Sequence, residues 1–405
     1  MGATIKNQMK KNFLLTGLIF LLIGVGCTSK KDGNSSTQVL NTKKNTKYPH
    51  NINLPDKVQG DLTTSTIASE VKFIPLETNK KSLIGKGGRI RINDSIIVIS
   101  DWKKIFLFKK DGRFIRQIGT NGKGPGEYLI IFDFELKEDT ILLTSTGKRS
   151  IIKYTLDGKF QEEIEVGNQL TNFSVTPNGH VVWYNRKKGE LTFYDHTMKP
   201  DNVIRPGNLA ILPDGYSISD TFDTYFQVSG DKLLFSNYFN DTVWNVSNGE
   251  HKAAYVFNLK DKLLPHEVLS KIYHDHDYDK FNKLAANYQK VNLLEGKNIL
   301  FIFQKTWTGN DLNAIYTHTF DTGITQKYTA PHIYDDMLSG MKLSINQKIQ
   351  CSEKFLISLV SPLKLVEELE KMDTEDKPEA YDSWKKQMRK VKYDDNPVIA
   401  IIKLN

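Results

Sequence analysis

The sequence predicts an all-β chain built of repeated small antiparallel sheets, and three observations predict it. First, residues 95–128 (SIIVISDWKKIFLFKKDGRFIRQIGTNGKGPGEY) hold apolar runs at Ile96–Ile99 and Ile105–Phe108, a third run with Phe114 and Ile118, and a glycine-rich crossing. These runs are too short for helices and are dominated by β-branched and aromatic residues, so they read as strands. Second, Asp111-Gly112 stands between two of the runs. Asp-Gly in that position marks a hairpin, because the glycine accepts the positive φ of a tight turn. Third, the pattern returns as LIIFDFELKED, TILLTST, SIIKYTLDG and KFQEEIEV, which places Asp157-Gly158 about 46 residues after Asp111-Gly112. That spacing is the period of propeller blades.

Later copies are more worn: HVVWYNR with ELTFYDH, KLLFSNYF with DTVWNVSNGE, and NILFIFQKTW with AIYTHTFDTG. Five blades fall at about 84–119, 128–166, 170–205, 222–259 and 288–329. A sixth is made of KLSINQKIQ, KFLISLV and PVIAIIKLN and lacks an outer strand, while VKFIPLE near the start of the folded region is a spare one. Four-stranded sheets cannot bury their faces alone and must stack around a channel. Pairing the spare strand with the last blade closes the ring and removes an exposed edge. The expectation is a six-bladed β-propeller over residues 68–405, closed by pairing of its N-terminal and C-terminal strands. Two stretches, about 262–289 and 363–392, carry apolar residues at helical spacing instead, and Pro378 divides the second.

The N-terminal region has a different composition. Lys10 and Lys11 precede the apolar run Phe13–Val25, which ends in small residues and Cys27. This is the pattern of a secretory signal, with an apolar segment short for a bilayer span. The segment GVGC resembles a bacterial lipobox, with Gly24 where that motif usually carries a branched residue. The resemblance implies removal of 1–27 as a signal peptide, with Cys27 as the lipidation site. Residues 28–67 are polar and rich in Ser, Thr, Asn and Lys, and read as a flexible tether. With Cys27 lipidated, the other cysteine, Cys351, has no disulfide partner and reads as a small buried hydrophobe. The formal charge of +8 is concentrated here, since residues 1–60 hold nine lysines against two aspartates. The remainder is nearly neutral, which argues against a nucleic-acid partner.

VKFIPLET (71–78) with the following SLIG, the crossing GKGPGEY (122–128) and the ending DNPVIAIIKLN (395–405) together resemble the six-bladed β-propeller lipoprotein family of Bacteroidetes. The crossing, with the strand and DGKF that follow, is also similar to an NHL repeat, without the Pro and Asp expected in its middle. The resemblance implies a bacterial cell-envelope protein, lipid-anchored to a membrane, the outer membrane being expected, with a periplasmic or surface-exposed propeller.

In a propeller, the crossings between blades and the loops joining each second strand to its third emerge on one rim. That rim receives GTNGKGPGEY, both helical insertions and the longer loops, and long varied loops on a rigid scaffold are where binding sites lie. The candidate binding residues are Trp102, Lys103, Lys104, Lys148, Arg149, Arg186, Tyr238 and Trp307. Aromatic platforms with cationic donors suit sugar rings, acidic glycans or peptides. Packing under an inserted helix is the alternative for the two tryptophans.

Catalytic and metal signatures are sparse. His274-Asp275-His276-Asp277-Tyr278-Asp279 is the one dense ligand cluster, but residues two apart on a helix diverge, so it reads as a solvated face. No H-E-x-x-H, G-x-S-x-G, Walker-type loop or paired-cysteine spacing occurs. Neither a metal nor a cofactor is expected. Glu127 and Asp133 form an acid/base pair only if the fold brings a substrate between them. The leading reading is a non-catalytic binding or interaction protein for a glycan, peptide or envelope protein. The alternatives are a lyase or hydrolase with its site at the channel mouth, and a structural adaptor in an envelope complex.

Overall fold

The computed structural model describes residues 48–85, 89–167, 172–185, 188–207, 226–237, 240–265, 268, 278–307, 312–344, 354–371 and 380–405. The chain begins with strands β1 (His50–Asn53) and β2 (Val58–Thr63), a single helical turn α1 (Thr64–Ile67) and strand β3 (Ala68–Pro75). Blade one follows as β4 (Ile90–Ile92), β5 (Ile96–Ser100), β6 (Ile105–Lys109) and β7 (Phe114–Ile118), each pairing antiparallel with the next. A two-residue parallel pair, β8 (Thr120–Asn121) with β9 (Glu127–Tyr128), crosses to blade two.

Blade two is β10 (Ile131–Lys137), β11 (Thr140–Ser145), β12 (Ser150–Thr155) and β13 (Phe160–Glu165). Blade three is β14 (Phe173–Val175), β15 (Val181–Asn185), β16 (Glu190–Tyr194) and β17 (Pro200–Ile204). Blade four is β18 (Phe226–Ser229), β19 (Lys232–Ser236), β20 (Thr242–Asn245) and β21 (Lys252–Asn258). Helix α2 (Tyr278–Ala285) precedes blade five, made of β22 (Gln289–Glu295), β23 (Ile299–Thr306), β24 (Ala314–Thr319) and β25 (Ile324–Tyr334). The chain then runs through β26 (Lys342–Ser344), β27 (Phe355–Val360), helices α3 (Pro362–Lys371) and α4 (Tyr381–Met388), and β28 (Val398–Leu404).

The sixth blade closes the ring as expected. β28 lies between β27 and β3, with Val71 opposite Ile402, Phe73 opposite Ala400 and Pro75 opposite Val398. The N-terminal strand of the ring and its C-terminal strand therefore share one sheet, in which β3 is the outer strand and covers the edge of β28. The short β26, expected as a strand of blade six, pairs instead with the extended end of β25, with Ile333 opposite Leu343.

Packing explains why so many strands are apolar without alternation. One cluster of buried side chains fills each gap between neighbouring blades, six in all. Within β5, Val98 faces blade two beside Phe134 and Leu143, while Ile97 and Ile99 face blade six beside Ile357 and Ile399. A strand covered on both faces loses the period-two signature and reads as a continuous hydrophobic run.

Residues 50–53 and 58–63, within the tether expected over 28–67, are strands instead; residues 28–47 lie outside the described residues. β1 adds in parallel to β21 on the outside of blade four, and β2 adds in parallel to β25 on the outside of blade five. Ile52 and Leu62 supply the burial, at 1% and 0% exposure. Two apolar residues ten positions apart in a polar stretch leave its average composition disordered-looking, although each fills a pocket on a waiting sheet edge.

Candidate functional site

The crossing GKGPGEY proves to be a latch between blades one and two. Tyr128, fully buried, donates its hydroxyl to the Ile118 carbonyl, and Tyr154 donates to the Gly126 carbonyl. Gly119 has a φ of +64°, and a Cβ there would lie 2.6 Å from the Tyr154 hydroxyl and 2.7 Å from the Tyr128 ring. Glycine is thus required both by backbone sign and by space. The Glu127 carboxylate accepts the Gly124 amide at 2.8 Å and tucks against Gly122, so it serves the loop itself.

Lys148 belongs to the same latch. Its Nζ lies 2.7 Å from Glu163 Oε2 and 3.0 Å from the Gly124 carbonyl. Burial alone would raise the Glu163 carboxyl, but hydrogen bonds from Lys148 and Ser150 hold it below the usual range. The Lys148 cation is therefore committed internally.

Trp102 sits differently. It occupies the loop between β5 and β6 at a φ of +73°, in the left-handed region, and its side chain is 43% exposed. The loop is built around Asp101, whose Oδ1 accepts the amides of Lys103 at 3.0 Å and Lys104 at 2.8 Å, while Oδ2 accepts Gly85 at 2.9 Å. The Trp102 carbonyl accepts the Ile131 amide at 2.7 Å, which ties this loop to the first strand of blade two. The preceding residue, Ile130, is 48% exposed and bonded through both backbone groups to Thr146 in the next loop. Lys103, Lys104 and Arg149 are exposed around this edge. The sequence pattern missed Ile130, because an apolar residue at the start of a strand reads as core.

Trp307 is buried. It packs with Val182, Tyr184, Leu264 and Ala285 beneath α2, its ring 5.0 Å from Lys290 Nζ. It is part of the packing between blades three, four and five rather than a platform on the rim. Arg186 and Tyr238 lie outside the described residues, as do Cys27, Cys351 and His274 to Asp277. Of the eight candidate binding residues, the fold brings Trp102, Lys103, Lys104 and Arg149 to the exposed rim of blades one and two.

Asp133 lies on the channel wall, away from Glu127's task. Its Oδ1 is 3.2 Å from Arg89 Nε and 3.7 Å from an Arg91 terminal nitrogen, and Arg91 Nε also meets Glu135 Oε2 at 2.9 Å. Burial pushes the Asp133 carboxyl up to about 6, against the pull of the two arginines. For Arg91, burial acts downward, and Glu135 and Asp133 outweigh it and raise the guanidinium further. This network is internally paired and neutralises the inner strands of blades one and two. Among the described residues, no group of three or more His, Cys, Asp and Glu side chains is placed to hold a metal ion, and no helix is long and apolar enough to cross a membrane.

Comparison with solved structures shows the same architecture elsewhere. The chain is similar to a protein of Bacteroides fragilis NCTC 9343 named as exported, with a TM-score of 0.69 and 17% identity, covering 88% of this chain and 99% of that one. A member of the duf4221 family from Bacteroides vulgatus ATCC 8482 matches with a TM-score of 0.43 and 10% identity, covering 83% and 96%. Virginiamycin B lyase from Staphylococcus aureus matches with a TM-score of 0.36 and 11% identity, covering 71% and 94%. At 17% identity the likeness to the Bacteroides fragilis protein is one of fold. No curated protein matches the chain. A family model matches residues 49–403, the whole ring with its two outer strands, and the chain accordingly belongs to the family described as Domain of unknown function (DUF4934).

Proposed function

We propose that this protein is an exported, lipid-anchored propeller of the bacterial cell envelope that binds a glycan or peptide at the rim where blades one and two meet. The observation that carries the reading is Trp102. A large aromatic residue held in a left-handed backbone conformation costs about 1–2 kcal/mol, yet Trp102 is 43% exposed rather than buried. Backbone strain at a large, partly exposed side chain is characteristic of binding sites. Ile130 supplies a second apolar surface beside it, and Lys103, Lys104 and Arg149 supply cationic donors. A flat apolar patch with charged neighbours suits a sugar face or an apolar side chain flanked by carboxylates.

The export signal in residues 1–27, the lipobox-like GVGC and the fold shared with a Bacteroides fragilis protein named as exported support the envelope location. Cys27→Ser should abolish incorporation of a labelled fatty acid and release the protein from the membrane fraction. Retention of label would remove the anchor. The binding reading is tested on glycan and peptide arrays with the full chain in detergent, beside Trp102→Ala and Ile130→Ser. Signals lost in both variants support the rim, whereas equal signals from all three proteins would exclude it. A lyase or hydrolase at the channel mouth is less well supported, because Asp133, Glu135, Arg89 and Arg91 pair with one another.

A further inference from the structure

The chain's own N-terminal residues demonstrate that this propeller accepts extra strands. β1 adds in parallel to the outer strand of blade four, and β2 does the same on blade five. The outer strand of blade one, β7, is the last strand of its four-stranded sheet and has no such cover among the described residues. Only its beginning is occupied. The Phe114 amide donates to Glu77 Oε2 at 2.9 Å, and the Glu77 amide donates to the Gly112 carbonyl at 2.9 Å. A carboxylate thus already sits on the first amide of this edge.

Beyond Glu77 the edge opens into a groove of about 410 Å³. Phe114, Ile115, Arg116 and Gln117 of β7 form one wall, and Lys80, Lys81 and Lys104 line the rest. The three lysines are exposed, and none forms an ion pair with a described residue. Phe114 and Ile115 are half-buried and pack toward opposite faces of blade one, so apolar surface lies along both sides of this edge.

We propose that this groove takes an acidic, extended peptide segment of a partner protein, which adds to β7 as a fifth strand of blade one. Strand addition supplies main-chain hydrogen bonds to an otherwise unpaired edge. Successive side chains of an added strand point to opposite faces, so acidic residues on one face would meet the lysines while apolar residues on the other meet one of Phe114 and Ile115, which pack toward blade six and blade two respectively. A sulfated glycan would satisfy the lysines but would leave the strand edge unused, which favours the peptide. The groove shares Lys104 with the rim but contains neither Trp102 nor Ile130, so Trp102→Ala distinguishes failure of one reading from failure of the other.

The test uses the full chain in detergent and fluorescence anisotropy with a labelled octapeptide of alternating Glu and Val. The expected result is saturable binding that falls at least tenfold in Lys80→Glu/Lys81→Glu. The same loss is expected when alternate peptide nitrogens are methylated, while Trp102→Ala leaves affinity unchanged. Amide exchange across Ile115–Gln117 should slow when the peptide is bound. Four outcomes would overturn the proposal: no binding, undiminished binding by the lysine variant, equal binding of the methylated peptide, or equal competition by a sulfated oligosaccharide of matched charge. The lysine substitutions lie on an exposed loop, and an unchanged unfolding transition confirms that lost binding is not lost folding.

Discussion

Trp102 and Asp133 are each held in a state that an isolated residue would avoid, and each makes a separate prediction. At Trp102 the backbone is left-handed, so glycine fits it better than any side chain. Trp102→Gly should leave stability unchanged or raise it by up to about 1 kcal/mol in urea denaturation, while removing rim binding. A substantial loss of stability would instead show that the indole packs. Asp133 titrates upward of the usual carboxyl range because burial outweighs Arg89 and Arg91. Between about pH 4 and 6 the folded state then keeps a proton that the unfolded chain has released. This group's contribution to stability is therefore greatest below that window and falls as pH rises to about 6. Asp133→Asn should flatten that part of the stability profile, as measured by denaturation at a series of pH values.

Strand β1 shows how much a short segment owes to its surroundings. Its four residues lie against β21, where the His50 ring stacks on Tyr255 at 5.6 Å. Glu295, on β22, accepts Tyr255 Oη at 2.6 Å and Ser229 Oγ at 3.0 Å and pairs with Lys232, while His318 of β24 stands nearby. Burial lowers the His50 imidazole below its ordinary value, and the Lys232 cation adds to this against the weaker opposing pull of Glu295. A depressed histidine favours folding fully above pH 6.5 and progressively less as the pH falls from there. Exchange of the Ile52 and Asn53 amides, corrected for intrinsic rates, should therefore accelerate between pH 7.5 and 5. His50→Phe, which keeps a stacking ring without a titrating group, should remove most of that acceleration.

Closure of the ring concentrates on one buried side chain. Asn396, 1% exposed, donates from its one side-chain amide nitrogen, Nδ2, to the carbonyls of Glu77 at 2.7 Å and Ser82 at 2.8 Å, and its Oδ1 accepts the Ile84 amide at 2.8 Å. Its backbone amide donates to Thr78 Oγ1 at 2.8 Å. The last strand is thereby fastened to the loop after β3 as well as to β3 itself. Asn396→Ala leaves the Ser82 carbonyl and the Ile84 amide without this partner in a buried place and the Glu77 carbonyl with only the Ser82 hydroxyl, which costs on the order of 2–4 kcal/mol. Chemical denaturation should show that loss with the far-UV signal of the folded state retained. A loss under about 0.5 kcal/mol would mean that strand pairing alone closes the ring.

The order of strands, the Asp-Gly turns and the blade count were legible from residues 90–329 because each signal is local and repeats. The closure was legible too, since a missing outer strand at one end and a spare strand at the other admit one ring. Even the quoted stretches VKFIPLET, SLIG and DNPVIAIIKLN turn out to meet at a single place, around Asn396. What local pattern could not carry was the fate of individual side chains whose environment is made by distant blades. Trp102 and Trp307 look alike in sequence, each a tryptophan in a loop between a blade's second and third strands, yet one is on the rim and the other lies under α2. Lys148 looks like a free loop cation until Glu163 and Gly124 meet it. Residues 50–63 look like tether until the outer edges of blades four and five offer them partners. Periodicity along the chain determined which residues form strands; only the closing of the ring decided which of their neighbours stay in water, because burial depends on what arrives from elsewhere in the chain.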